Sequence, residues 1–207
     1  MVRVILVRHG ETLWNEEERY QGASDLPLSG RGELQARRLA ARLASESIGL
    51  IYSSDSNRAL QTAAEIAAHH GRQVRADPRL REMDFGVWEG LTYSEIGERY
   101  PQALARWEGD PFATAPPGGE SLAQLATRVG DVLDDIRKPG EADTVLVVSH
   151  GGPLRVVLCL ALGLAPADHW RFRLDPGSVS ELYLYPEGAI LALLNDRHHL
   201  LSERCCS

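Results

Sequence analysis

Val4-Ile5-Leu6-Val7-Arg8-His9-Gly10-Glu11-Thr12, near the start of the chain, and Thr144-Val145-Leu146-Val147-Val148-Ser149-His150-Gly151-Gly152, far along it, share one layout. Each is a short apolar run rich in β-branched residues that stops abruptly at a histidine followed by glycine. Such runs read as strands buried on both faces of a parallel sheet. Between and after them the period becomes helical. Ala36, Leu39, Ala40 and Leu43 fall at i, i+3, i+4 and i+7, as do Leu60, Ala63, Ala64 and Ala67. From Ser121 to about Arg137 a stripe of Leu122, Leu125, Ala126, Val129, Leu133 and Ile136 follows a Ser121-x-x-Gln124 capping box. Leu154, Val157, Leu158 and Ala161 mark a helix after the second strand.

Further strands are expected at Leu50–Ser53, near Val74, and in a closing pair around Glu181–Tyr185 and Ile190–Leu194 joined by Pro186-Glu187-Gly188. This alternation predicts an α/β fold, a three-layer αβα sandwich with a mostly parallel central sheet. Ligands of such folds bind beyond the carboxyl ends of the strands. The stretch from about 79 to 119 fits the alternation less well: a helix capped by Thr92-x-x-Glu95, a break at Pro101, and a Pro- and Gly-rich loop from Asp110 to Gly119. It reads as an insertion covering the site within one domain spanning 1–207.

Composition narrows the classes. The chain has 207 residues, 43% hydrophobic and 25% charged, enough apolar surface for a sizeable core. Its net charge of -7 argues against general nucleic-acid binding. Three cysteines make no disulfide framework, and two of them, Cys205 and Cys206, are neighbours near the end. With no signal-like segment and no long apolar run, a cytoplasmic location with no membrane contact is expected.

The chemistry concentrates at strand ends. A lone His9 there reads as structural, but Arg8 beside it would repel a charged imidazole and needs an anion to justify the pairing. Ser149-His150-Gly151-Gly152 repeats the pattern, with glycines that let backbone approach a ligand. Arg58 falls in the first turn of a helix after a strand, where the helix terminus also favours an anion. Two arginines, two histidines and a helix N-terminus describe a pocket for a phosphoryl group. The adjacent pairs His69-His70 and His198-His199 are poor chelators, since neighbours point different ways. Trp88, Trp107 and Phe112 are either core or substrate-facing walls, and Cys159 is a packed helix residue.

These residues resemble the histidine phosphatase superfamily, also called phosphoglycerate mutase-like. The motifs are Arg8-His9-Gly10-Glu11-Thr12, Arg58-Ala59-x-Gln61-Thr62-Ala63, Leu80-Arg81-Glu82-Met83-Asp84-Phe85-Gly86, Gly118-Gly119-Glu120-Ser121 and Ser149-His150-Gly151-Gly152, in family order from Val4 to about Leu194. The resemblance implies that neutral His9 attacks phosphorus to give a phosphohistidine that water hydrolyses, with no metal and no cofactor. It implies that Arg8 and Arg58 offer donors to the equatorial oxygens, that His150 adds another, and that Glu82 protonates the leaving alkoxide and later deprotonates water. Asp84 is the rival acid. Glu82 would owe partial protonation near neutral pH to desolvation beneath the insertion. Asn15, Gln21, Gly22 and Gly151 match positions that line the phosphate site in relatives.

Within the family, mutases carry an arginine after the acid and a tyrosine two positions later, where this chain has Met83 and Phe85. That favours a metal-independent phosphomonoesterase over a phosphoglycerate mutase. Leu80 to Tyr93 resembles α-ribazole phosphatases, which makes α-ribazole 5'-phosphate the first expectation. Length and His199-Leu200 resemble metal-independent phosphoserine phosphatases, and broad-specificity phosphatases look alike too. A non-catalytic phosphate-binding module, or a metal-dependent hydrolase, is the alternative class. The expected partner is a small-molecule phosphate ester; a homodimer is left open.

Overall fold

A computed structural model describes residues 1–138 and 142–201. Its strands are β1 (Val2–Arg8), β2 (Leu50–Ser53), β3 (Val74–Ala76), β4 (Thr144–Ser149), β5 (Val179–Tyr185) and β6 (Gly188–Asp196). Its helices are α1 (Leu13–Glu16), α2 (Gly30–Leu43), α3 (Asn57–Ala67), α4 (Tyr93–Arg99), α5 (Pro101–Gly109), α6 (Leu122–Arg137) and α7 (Gly151–Ala161). The strands form one sheet in the order β3-β2-β4-β1-β5-β6. β1, β2, β3 and β4 are mutually parallel where they pair, with Val4 opposite Val145 and Leu50 also opposite Val145. The β5–β6 hairpin adds an antiparallel edge. This is the expected α/β sandwich.

Alternation along each strand sends side chains to two cores. Val4, Leu6, Val145 and Val147 pack against Leu125 and Val129 of α6 and Leu154 and Leu158 of α7. Ile5, Val7, Leu146 and Val148 pack against Leu39 and Leu43 of α2 and Ala63 and Ile66 of α3. After β1 the chain therefore leaves to one face, and after β4, the adjacent strand, to the other. The two strands stay joined as far as Arg8 and Ser149, with the His9 N–H on the Ser149 carbonyl, and the chain diverges to the two faces beyond their carboxyl ends.

Local signals were read well where a cap or stripe was strong. Both boxes form: Ser121 with Gln124 opens α6, and Thr92 with Glu95 opens α4. The stripe expected on α3 is rotated, because its buried side is Arg58, Ala59, Thr62, Ala63, Ile66 and Ala67, while Ala64 is exposed. Ile66 outweighs the small alanines, and Arg58 and Thr62 turn inward for polar reasons. The break at Pro101 is real, yet it begins α5, because proline at the first helical position gives up an N–H that has no intrahelical partner.

The 79–119 stretch has a small core of its own. Trp88, Ile96 and Leu104 are buried there, with Trp107 edge-on to Trp88 at 5.6 Å. The two tryptophans are thus packing residues, and Phe112 is exposed. Cys159 is buried in α7, while Cys205 and Cys206 lie outside the described residues. Among the described residues no helix is long and apolar enough to cross a membrane. Because Trp88 is fully buried at the centre of this satellite core, Trp88→Ala is expected to cost about 3–5 kcal/mol. Urea unfolding of the variant measures it, and a loss below about 1 kcal/mol would contradict the packing described.

Candidate active site

β1 delivers Arg8 and His9 to the crevice, and the loop after it is tied down by the short helix α1. Thr12 caps that helix in a box with Asn15, whose Oδ1 accepts from the Thr12 N–H at 3.1 Å. The Thr12 hydroxyl also donates to Gln21 Oε1 at 2.7 Å. Both amides are thereby oriented by their oxygens. The Gln21 Nε2 is a buried donor with no acceptor among the described residues, and so is Arg8 Nε.

His9 is 2% exposed, and its Nδ1 donates to the Gly10 carbonyl at 2.7 Å. That bond leaves Nε2 with the lone pair. Burial, with Arg58 and Arg8 adding positive charge, holds the imidazole well below its ordinary range, so it is neutral. Burial likewise pushes Arg8 down to about 10, which leaves it cationic at neutral pH. Arg8 Nη1 donates to the Leu174 carbonyl at 2.6 Å.

α3 and α7 bring Arg58 and His150 together one layer beneath the open cleft. Arg58 Nε donates to His150 Nδ1 at 3.2 Å, while Nη1 and Nη2 donate to the carbonyls of Ser24 and Gly22 at 2.8 and 2.9 Å. Three of its five N–H groups are therefore engaged. His150, fully buried and neutral for the same reasons as His9, sits 4.9 Å from the His9 ring with its Nε2 facing Ser54 and Ser56 hydroxyls at 2.9 and 3.0 Å. Both His150 ring nitrogens thus meet protein groups in this arrangement.

Glu82 projects into the cleft, and its carboxylate accepts from the Met83 N–H at 2.9 Å and the Gly152 N–H at 3.1 Å. The second bond places it on the N-terminus of α7, where the macrodipole favours an anion. A Cβ at Gly152 would collide with that carboxylate, whereas one at Gly151 would only touch the Arg8 guanidinium at ordinary contact distance. Gly152 is what lets the Glu82 carboxylate reach the helix end. Asp84, the rival acid, instead accepts from the Gly86 N–H at 2.8 Å within a turn and is absent from the cleft lining.

The cleft encloses about 350 Å³ and is lined by Arg8, His9, Asn15, Gln21 and Glu82 at one end, with Trp14, Tyr20, Phe85 and Pro176 as apolar walls. Met83 is buried in the main core and Phe85 faces the cleft, so neither offers the charged or hydroxyl donor that the mutase pattern requires. The pairs His69-His70 and His198-His199 lie elsewhere, and His199 Nδ1 meets the Arg42 guanidinium at 2.9 Å, a neighbour hostile to a cation.

Two contributors escaped the sequence reading. Trp14, Glu18 and Tyr20 line the cleft from the loop after β1, with no pattern to flag them. Arg128 of α6 forks onto Glu120 at 2.7 Å and donates to the carbonyls of Arg79, Arg81 and Glu82 at 2.7, 2.6 and 3.0 Å. That brace explains why Glu120 follows the glycine pair Gly118-Gly119: the motif supports the strand of chain that carries Glu82.

The site and fold have clear relatives. A phosphoserine phosphatase 1 from Hydrogenobacter thermophilus is 40% identical over 200 residues, covering 97% of this chain and 95% of that protein. A probable phosphoglycerate mutase GpmB from Enterobacter sp. is 42% identical over 187 residues, covering 88% of this chain and 85% of that one. The crystal structure of a putative alpha-ribazole-5'-P phosphatase from Escherichia coli superposes with a TM-score of 0.89 at 31% identity, covering 95% and 97% of the two chains. The model of the histidine phosphatase superfamily (branch 1) matches residues 4–197, and the chain belongs to that superfamily.

Proposed function

We propose that this protein hydrolyses small-molecule phosphate monoesters through a phosphohistidine on His9. The observation that carries the reading is a buried, neutral imidazole with Nδ1 held and Nε2 free, set beside two guanidiniums. A neutral imidazole is a nucleophile and an imidazolium is not. Arg8 Nε and Gln21 Nε2, two buried donors of cleft-lining residues with no acceptor among the described residues, suit phosphoryl oxygens. Arg58 acts from beneath through its two remaining N–H groups, and its positive charge also keeps His9 neutral. His150, locked by Arg58 and the serines, positions that guanidinium. Glu82, lining the cleft at the same end as His9, protonates the leaving oxygen and then deprotonates water. No step calls on a metal or cofactor.

Two substrates deserve testing first. The aromatic walls Trp14, Tyr20 and Phe85 suit a flat leaving group, which supports α-ribazole 5'-phosphate, in line with the alpha-ribazole-5'-P phosphatase structure. The phosphoserine phosphatase relative, matched nearly end to end, supports phosphoserine. Phe85 and Met83, where mutases carry polar groups, favour hydrolysis over isomerisation.

His9→Ala is expected to abolish turnover with the fold retained, since His9 contributes little apolar area; near-native rates would reassign the nucleophile. Glu82→Gln should cost about 10²–10⁴-fold on phosphoserine, whose alkoxide needs a proton, and less on p-nitrophenyl phosphate. With the aryl ester, phosphohistidine should accumulate and be seen as added phosphoryl mass on His9 in quenched samples. Equal losses with both esters and no trapped intermediate would remove Glu82 from the acid role.

The neutral histidines also set the pH dependence. Because His9 titrates below its unfolded value, the acid limb of kcat/KM belonging to it should lie below the ordinary imidazole value of about 6.5. The same sign holds for stability. His9 and His150 take up protons in the unfolded chain as pH drops through about 6.5 but not in the folded one, so stability is full above that value and falls below it. Urea midpoints that stayed constant from about pH 7.5 to 5.5 would contradict the burial of two neutral imidazoles.

A further inference from the structure

The charges around the cleft are unevenly placed. Arg8 stands beside His9, with Arg58 beneath and the carboxylate of Glu82 at the same end. At the rim the one lining cation, Arg19, is engaged: its guanidinium meets Glu17 at 2.7 Å, Glu95 at 2.8 Å and the Gly90 carbonyl at 2.6 Å. Glu18, next in line, borders the same cleft, is solvent-accessible, and has no cationic partner among the described residues. At the Arg8 end two guanidiniums outweigh the single carboxylate of Glu82, whereas Glu18 leaves a negative charge among the remaining lining residues.

Glu18 is also held in place. It follows α1 with φ 54°, the left-handed conformation usually given to glycine just past a helix. The surrounding hydrogen bonds over-determine that turn. The Arg19 N–H donates to the Trp14 carbonyl at 2.8 Å, the Tyr20 N–H to the Leu91 carbonyl at 2.9 Å, and the Gly90 N–H to the Tyr20 carbonyl at 2.9 Å. Gly90, at φ 76°, leaves room for the Trp14 ring, which lies 3.1 Å from where a Cβ would stand. A carboxylate and an indole are therefore presented together on one wall. That pair is the chemistry that recognises an organic cation, by charge and by the ring's negative face.

We propose that Glu18 and Trp14 form a cation subsite, and that the esters selected by this cleft are phosphates of amino alcohols. The phosphate would lie at Arg8 and His9, and the ammonium at Glu18 and Trp14. The proposal rests on the phosphomonoesterase reading, and of the two substrates named there it fits phosphoserine.

The test compares phosphoethanolamine with ethyl phosphate, which share the phosphate and the two-carbon chain and differ in the ammonium. Binding is measured by calorimetry to the His9→Ala protein, so turnover plays no part. Phosphoethanolamine should bind about fivefold more tightly, from one partly exposed ion pair plus a cation–π contact, and the gap should shrink with added salt. Glu18→Gln in the same background should erase the preference. Glu18→Gly should erase it as well while easing the backbone, which separates loss of the carboxylate from loss of the fold. Equal affinities, a preference that survives Glu18→Gln, or no measurable binding of either ester overturn the subsite. Failure of the phosphatase reading would show elsewhere, as absence of phosphate release from p-nitrophenyl phosphate by the unmodified protein.

Discussion

Positive charge held in a buried place without a matching carboxylate is the constraint around which this molecule is arranged. Arg58 is 1% exposed and is met by two carbonyls and an imidazole rather than by an acid. Arg8 rests on one carbonyl, with Glu82 as the nearest tempering charge. Burying unpaired charge is costly unless something else rewards it. Here the same field that makes the guanidiniums costly keeps His9 neutral, so one electrostatic arrangement sets a neutral imidazole beside cationic groups able to receive an anion.

The sheet makes such an arrangement mechanically affordable. β1 and β4 are central, parallel and buried, so their carboxyl ends are among the most firmly fixed points of the chain. Arg8, His9 and His150 hang from those ends and inherit that rigidity. Glu82 does not; it comes from an irregular segment. Its position depends on two contacts made from other elements, the Gly152 N–H of α7 and the Arg128 guanidinium of α6, with Glu120 holding that guanidinium in turn.

The cleft walls show a division of labour. The end that holds Arg8 and His9 is built from strand termini and a capped helical turn. The other lining comes from the loop after β1 and the 79–119 stretch, which are stitched together at Tyr20, Gly90, Leu91 and Thr92.

The sequence by itself determined the class of fold and the candidate reacting groups, because both are written in local, periodic or ordered signals. Two apolar runs ending at His9 and His150, a capped stripe from Ser121, and five ordered motifs need no third dimension to be read. It misplaced the buried side of α3 by about one position, since small alanines carry little amphipathic signal and the true face is set by Ile66 and by Arg58 turning toward the site. Only the tertiary structure decided which nitrogens are occupied, that His150 faces Ser54 and Ser56, that Asp84 is taken up by a turn while Glu82 is not, and that Glu18, without a cationic partner among the described residues, lines the same cleft as Trp14. The His150 contacts join residues more than ninety positions apart, and even the local bond from Gly86 to Asp84 has a geometry that exists only once the sheet has brought the loops together.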